Sequence, residues 1–164
     1  MRAVWFWLSL ICACATTPAL AQQMCNPALP ATTPDARFFD NGDGTVTDTS
    51  SGLIWSRCSL GQEWVDGACR GEATPLLWSV AALLATDGWR LPEIKELSGI
   101  VELRCARPAI NTSVFPTTPP AAYWSRTRFV NRDGSFWQVQ FILGESLPER
   151  GDRSAYVRLV RDPQ

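Results

Sequence analysis

Apolar residues along this chain are spaced differently from segment to segment, and each spacing predicts a different element. An apolar run from Ala3 to Ala15 follows Arg2 and leads to Ala19-Leu20-Ala21, the small-x-small pattern of a secretory signal cleaved after residue 21. Residues 22–36 show no periodicity and are rich in Pro, Ala and Thr, which predicts an extended lead-in held mainly by Cys25. From Arg37 the pattern becomes β-like. Arg37–Phe39, Thr45–Asp48 and Leu53–Ser56 read as short strands, with turns at Asp40-Asn41-Gly42-Asp43-Gly44 and Thr49-Ser50-Ser51-Gly52, a small antiparallel meander.

The period then changes. Thr74-Pro75 caps a helix over Leu76–Ala85 that ends at Asp87-Gly88 and is apolar on nearly every side, so it should be buried between the sheet and a second helix. That second helix starts in Gly88–Leu97. Pro92 suits a first helical position, Glu93 and Glu96 suit the positive end of the dipole, and Ile94, Leu97 and Val101 share one face. After Cys105 the chain is irregular through Ala122. Strand signals return at Tyr123–Thr127, Ser135–Phe141 and Ala155–Arg161, the last two strictly alternating: Tyr156, Arg158 and Val160 oppose Val157, Leu159 and Arg161. Strands, two helices, a long loop and more strands make an α+β domain over residues 37–164, with the last strands free to pair back onto the meander.

Composition narrows the class. Once residues 1–21 leave, the remaining length suits one domain with one core, and Trp55, Trp64, Trp78, Trp89, Trp124 and Trp137 stay to fill it. No later segment is apolar for long enough to cross a membrane. A formal net charge of −1, one unit lower without Arg2, supplies no field that would gather nucleic acid or a membrane surface. Nearly every cation is Arg, Lys95 being the one Lys, which favours planar bidentate contacts over point charges.

Cys12 and Cys14 fall in the signal, leaving Cys25, Cys58, Cys69 and Cys105, an even set in an exported protein. A local Cys58–Cys69 pair closes a short Gly-rich loop and leaves Cys25 to tether the lead-in to Cys105. The expected location is the periplasm or the medium. Ile11-Cys12-Ala13-Cys14 also loosely matches a lipoprotein box that would anchor the chain through Cys14.

Candidate chemistry is sparse. The chain has no His, which excludes Ser-His-Asp and Cys-His machinery, and the thiol spacing does not fit zinc. The Asp40–Asp48 run invites calcium, but an EF-hand register begun at Asn41 puts Val46 where Gly belongs, so turn chemistry explains it. Glu93 and Glu96 could form an acid–base pair; their place at a helix start serves the dipole instead. No catalytic residue, metal or cofactor is expected. Arg126, Arg128 and Arg132 follow the Trp124 strand, and Arg150 and Arg153 precede the last one. If those loops adjoin, they form a cationic rim able to fork sulfate or carboxylate, with Trp124 or Trp137 stacking on a sugar face. Interleaved Asp133, Glu145, Glu149 and Asp152 would equally make ordinary surface ion pairs.

The ordered set Phe39–Asp48, Gly52-Leu53-Ile54-Trp55, Trp89-Arg90-Leu91-Pro92 with Lys95-Glu96-Leu97, Pro108-Ala109-Ile110-Asn111, Phe115-Pro116, Tyr123-Trp124-Ser125, Trp137 with Phe141, and Tyr156–Arg161 resembles the Lcl C-terminal domain of exported bacterial proteins. That family was formerly a domain of unknown function and takes its name from a collagen-like adhesin. The resemblance implies a C-type-lectin-like fold, related in outline to formylglycine-generating enzymes and phage receptor-binding proteins. The name-giving adhesin binds sulfated glycosaminoglycans, whereas this chain has no collagen-like repeat. The expectation is an exported non-catalytic module for carbohydrate or anionic glycan. The alternatives are a structural or protein-interaction domain of the cell envelope and, third, an exported enzyme.

Overall fold

The structure is a computed structural model that describes residues 22–163; the signal segment and the Cys14 alternative lie outside the described residues. The lead-in is tied down more firmly than one cysteine would allow. Met24–Cys25 (β1) lies antiparallel to Cys105–Ala106 (β8), with Cys25 directly opposite Cys105, its disulfide partner. Further along, the buried carboxylate of Glu102 accepts the backbone N–H of Thr32 at 3.1 Å and of Thr33 at 2.9 Å, and the Thr33 hydroxyl at 2.9 Å. Several donors on one carboxylate explain how an aperiodic segment holds a fixed course.

The meander forms as the alternation predicts. Phe38–Asp40 (β2), Thr45–Asp48 (β3) and Ile54–Ser56 (β4) pair antiparallel in succession, and Val160–Arg161 (β13) returns to the free side of β4, completing a four-stranded sheet. Val46 and Trp55 face the core from opposed positions on β3 and β4. The Cys58–Cys69 disulfide closes a loop that contains an unforeseen hairpin, Glu63–Val65 (β5) against Ala68–Arg70 (β6). Its two-residue turn is Asp66-Gly67, both at positive φ of 50° and 76°, the sequence that this turn favours.

Both helices are shorter than expected. Leu76–Leu77 is a strand (β7), and the helix proper is Trp78–Leu83 (α1). It is not buried: of its residues only Ala81 is enclosed, while Leu83 and Leu84 are 79% and 45% exposed. Apolar composition announced burial, but no element among the described residues covers its outer side. The second helix runs Ile94–Ser98 (α2), with Glu93 rather than Pro92 at its boundary, because the Glu93 backbone N–H closes onto the Glu96 carboxylate at 2.7 Å. Val101 lies beyond it, bridged to Ile110, and so does not extend the helical face.

Ala122–Arg128 (β9), Ser135–Gln140 (β10) and Glu145–Arg150 (β11) form a second antiparallel sheet with β10 central. The residues expected to be loop before the last strand thus include a full edge strand. The segment expected as a single strand, Ala155–Arg161, is split. Ser154–Ala155 (β12) pairs with β7, Val160–Arg161 pairs with β4, and the residues between cross from one sheet to the other. Alternation fails there because Val157 and Arg158 are both buried. Arg158 donates to the carbonyls of Ser56 and Arg57 and to the Thr118 hydroxyl, and lies over the Phe115 ring at 4.8 Å.

Two apolar clusters fill the interior. One gathers Val46, Trp55, Leu97, Phe115, Tyr123, Phe141 and Val160 between the meander, α2 and the second sheet. The other gathers Ala81, Leu91, Trp124, Phe136, Ala155 and Val157 beneath α1. The architecture is therefore mostly antiparallel strands with two small helices and two disulfides.

Candidate functional site

Ser135, at the start of β10, is where the arginine-bearing segments meet. Arg150 of β11 is its direct cross-strand partner, and Arg128 of β9 pairs with the next residue, Phe136. A register shift between Phe136 and Gln138 bulges β9 ahead of Arg128, and the turn Phe129–Gly134 follows, closed by the Phe129 N–H on the Ser135 carbonyl. From that turn Arg132 reaches back, its Nε donating to the Ser135 hydroxyl at 2.7 Å and an Nη to the Pro148 carbonyl at 3.2 Å. Gly151 then donates its N–H to the Gly134 carbonyl, and Arg153 follows, its N–H on the Arg150 carbonyl. A Cβ at Gly151 would meet the Phe136 ring at 3.1 Å, so glycine permits this close approach. Arg128, Arg132, Arg150 and Arg153 consequently lie at one end of the second sheet.

Beside them is an aromatic wall. Trp78, the first residue of α1, stacks on Phe136 at 3.5 Å between centroids and 7° between planes, and its indole N–H donates to the Ser125 carbonyl at 2.9 Å. A cleft of about 370 Å³ opens here, lined by Leu77, Trp78, Phe136, Asp133, Arg150 and Asp152 among others.

Electrostatics divides the rim. Arg150 is paired with Asp152 at 2.8 Å; that hydrogen bond raises the arginine above its ordinary value and lowers the aspartate below its own. Arg128 and Arg153 make no side-chain hydrogen bond or ion pair among the described residues and stand exposed. The rim can therefore present planar donors to an anion, with Asp133, Glu149 and Asp152 limiting the net positive charge.

Two of the residues expected in the site lie elsewhere. Trp124 is fully enclosed, its indole N–H donating to the Leu76 carbonyl at 2.8 Å, so its ring cannot meet a sugar. Arg126 leaves the rim for α2, pairing with Glu93 at 2.6 Å. Trp137, the other ring considered, packs edge-on against Phe129 at 5.3 Å. Trp78 is the residue that sequence reasoning missed, since an all-apolar helix drew it into the core. The long loop Ala106–Ala122 does not converge on the arginines either. It walls its own cleft of about 400 Å³ with Gln23, Pro108, Thr117, Thr118 and Pro119.

The acidic candidates are committed to structure. Glu93 accepts from Arg126 and the Thr127 hydroxyl, and the Thr127 hydrogen bond, reinforced by Arg126, holds it below the usual carboxylate range. Glu96 accepts both terminal nitrogens of Arg90, at 2.7 and 2.9 Å. In the Asp40–Asp48 turn Asp43 accepts the Thr45 N–H at 3.0 Å and its hydroxyl at 2.6 Å, so the oxygens serve the turn. Among the described residues no three acidic or thiol groups gather as metal ligands.

The model of the Lcl C-terminal domain matches residues 44–161, which takes in the second sheet, both helices, the whole rim and every strand of the four-stranded sheet except β2, which precedes it. The chain belongs to the Lcl C-terminal domain family. The curated proteins and the solved structures compared with it give no match. Within this Lcl C-terminal domain the Cys58–Cys69 bridge falls inside the match, whereas the lead-in and the Cys25 end of the other bridge precede it. Two disulfides point to an oxidising, extracytoplasmic setting. No helix among the described residues is long and apolar enough to cross a membrane.

Proposed function

We propose that this Lcl C-terminal domain is an exported, non-catalytic binding module that takes carbohydrate, sulfated or otherwise anionic, on the arginine rim beside Trp78. The observation that carries this reading is the meeting of Arg128, Arg132, Arg150 and Arg153 at one sheet end, next to a cleft walled by Trp78 stacked on Phe136. Guanidinium groups fork sulfate and carboxylate oxygens, and an indole offers a flat apolar face to a sugar ring. The same reading takes residues 37–164 as one C-type-lectin-like domain, released to the periplasm or medium by cleavage after residue 21.

Heparin affinity chromatography tests it. The purified protein should be retained at low salt, and the combined Arg128→Gln, Arg132→Gln and Arg150→Gln variant should elute at clearly lower salt. Arg70→Gln, on the β5–β6 hairpin and outside the lining of the cleft, should leave elution unchanged. Absence of binding to sulfated and neutral glycans alike, or equal elution of the triple variant, would refute the reading. A protein-interaction role is the second reading, favoured by the uncovered apolar side of α1, where Val80, Leu83 and Leu84 are 40%, 79% and 45% exposed.

A further inference from the structure

Trp78 has a cleft on each side, and the second holds none of the four rim arginines. It is lined by Trp78, Ala82, Ala85, Leu91, Arg90 and Arg126 and encloses about 260 Å³. Its floor is apolar and fixed: Leu91 is buried, and the Trp78 ring is pinned by its stacking on Phe136 and its bond to the Ser125 carbonyl. Its charge is one-sided. Two guanidinium groups line it, and no carboxylate does.

The carboxylates that balance these arginines hold them from behind. Arg90 is taken by Glu96 at 2.7 and 2.9 Å and by Asp162 at 2.7 Å. Arg126 is different. Glu93 occupies only its Nε, at 2.6 Å, and its Nη atoms make no hydrogen bond among the described residues, although the side chain is only 49% exposed. The backbone N–H of Arg126 donates to the Pro92 carbonyl at 2.8 Å, so the base of the side chain is fixed next to α2. An apolar floor with an unfilled guanidinium fork at its edge is the arrangement that small-molecule sites use: burial for the tail and a few polar groups for orientation.

We propose that this cleft binds a small monocarboxylate with one apolar tail, the tail lying over Trp78 and Leu91 and the carboxylate received by the Nη atoms of Arg126. Its volume is below the roughly 300 Å³ at which drug-sized pockets begin, which limits the tail to one short alkyl chain or one side chain. Glu93 already neutralises much of Arg126, so a single negative charge is accommodated and a dianion is repelled. This site is separate from the glycan rim and does not depend on it. Two sources share the chemistry: a free medium-chain acid, and the terminal residue of a polypeptide ending in an apolar side chain.

The test is titration of the purified protein followed by the Trp78 indole N–H resonance, using octanoate and N-acetylglycyl-leucine as probes, each beside its amide. The expected result is a saturable shift with at least one acid and roughly tenfold weaker binding of its amide, the scale of one charge-assisted hydrogen-bonded pair. Arg126→Gln should erase that acid–amide difference, and Ala82→Leu, which fills the cleft, should abolish the shift while the thermal melt stays in place. Saturation by octanoate alone assigns a free acid, and by the dipeptide alone a chain terminus. Failure of both acids to saturate, equal affinity for acid and amide, or unchanged binding in Ala82→Leu would overturn the proposal.

Discussion

The two helices are nearly the same length and are treated by the fold in opposite ways. Helix α2 carries Lys95 and Glu96 among its five residues, yet Leu97 is fully enclosed and Arg90, Arg126 and Thr127 all lock onto its first turn. Helix α1 is wholly apolar apart from Ser79, yet buries only Ala81 and leaves Leu83 79% exposed. Placement of the apolar residues, not their number, decides burial. In α2 one face is apolar and Glu96 on the rest is paired with Arg90, whereas α1 is apolar all round and only one side meets the molecule. The uncovered apolar helix is flanked by two clefts, an arrangement suited to contact with a ligand or partner.

Truncating the two helices should therefore cost very different amounts of stability. Leu97→Ala removes a fully enclosed side chain from the larger cluster and should lower stability by roughly 2–5 kcal/mol. Leu83→Ala should stay within about 0.5 kcal/mol, as substitutions at exposed positions do. Urea denaturation of both variants measures this directly. A large loss for Leu83→Ala would mean that α1 is covered in the folded protein.

A second contrast lies in the carboxylates of the two regions. Asp48, 2% exposed in the meander, is raised by burial but lowered further by Arg37, with Ser50 and Ser51, to a pKa of about 2. Its folded value lies below its ordinary 3.8, so the stability it confers is present above that value and is lost as pH falls towards 2. The loss should be roughly 2 kcal/mol between about pH 5 and pH 2, and Asp48→Asn should flatten that slope. Thermal melts across this range give the measurement. Among the described residues no comparable buried carboxylate supports α1: Asp152, beside it, is exposed.

Much of the first region was legible because its signals are local. Gly and Asp turns fixed the meander, alternation fixed its faces, and the disulfide pairs followed from the cysteine count and one short loop. The second region depends on neighbours that sequence does not name. Strand β11 was hidden because Glu145–Arg150 has no apolar alternation and carries Pro148, which an edge position tolerates. Ala155–Arg161 alternated like one strand but serves two sheets, with Arg158 turned inward at the crossing. At the rim the arginines were recognisable as residue types, and pairing brought Arg128, Arg132, Arg150 and Arg153 together. The same pairing enclosed Trp124 and left the half-buried Trp78 at the edge of the cleft instead. The Asp66-Gly67 hairpin could have been read from its dipeptide alone.

The smallest expected effect sharpens the contrast between residues that hold the fold and residues that face outward. Arg150 and Asp152 form an ion pair 2.8 Å long, but their side chains are 62% and 59% exposed, so solvent screens the pair. Arg150→Gln should therefore leave the thermal melt in place, unlike loss of the partners of Asp48. Asp152→Asn should be equally silent in a melt, yet it removes the acid that competes with any anion for Arg150. Retention on heparin should then move in opposite directions, weaker for Arg150→Gln and stronger for Asp152→Asn, with both differences shrinking as salt rises. If both variants instead lose retention together, the ion pair itself shapes the rim, and Asp152 belongs to the binding surface rather than opposing it.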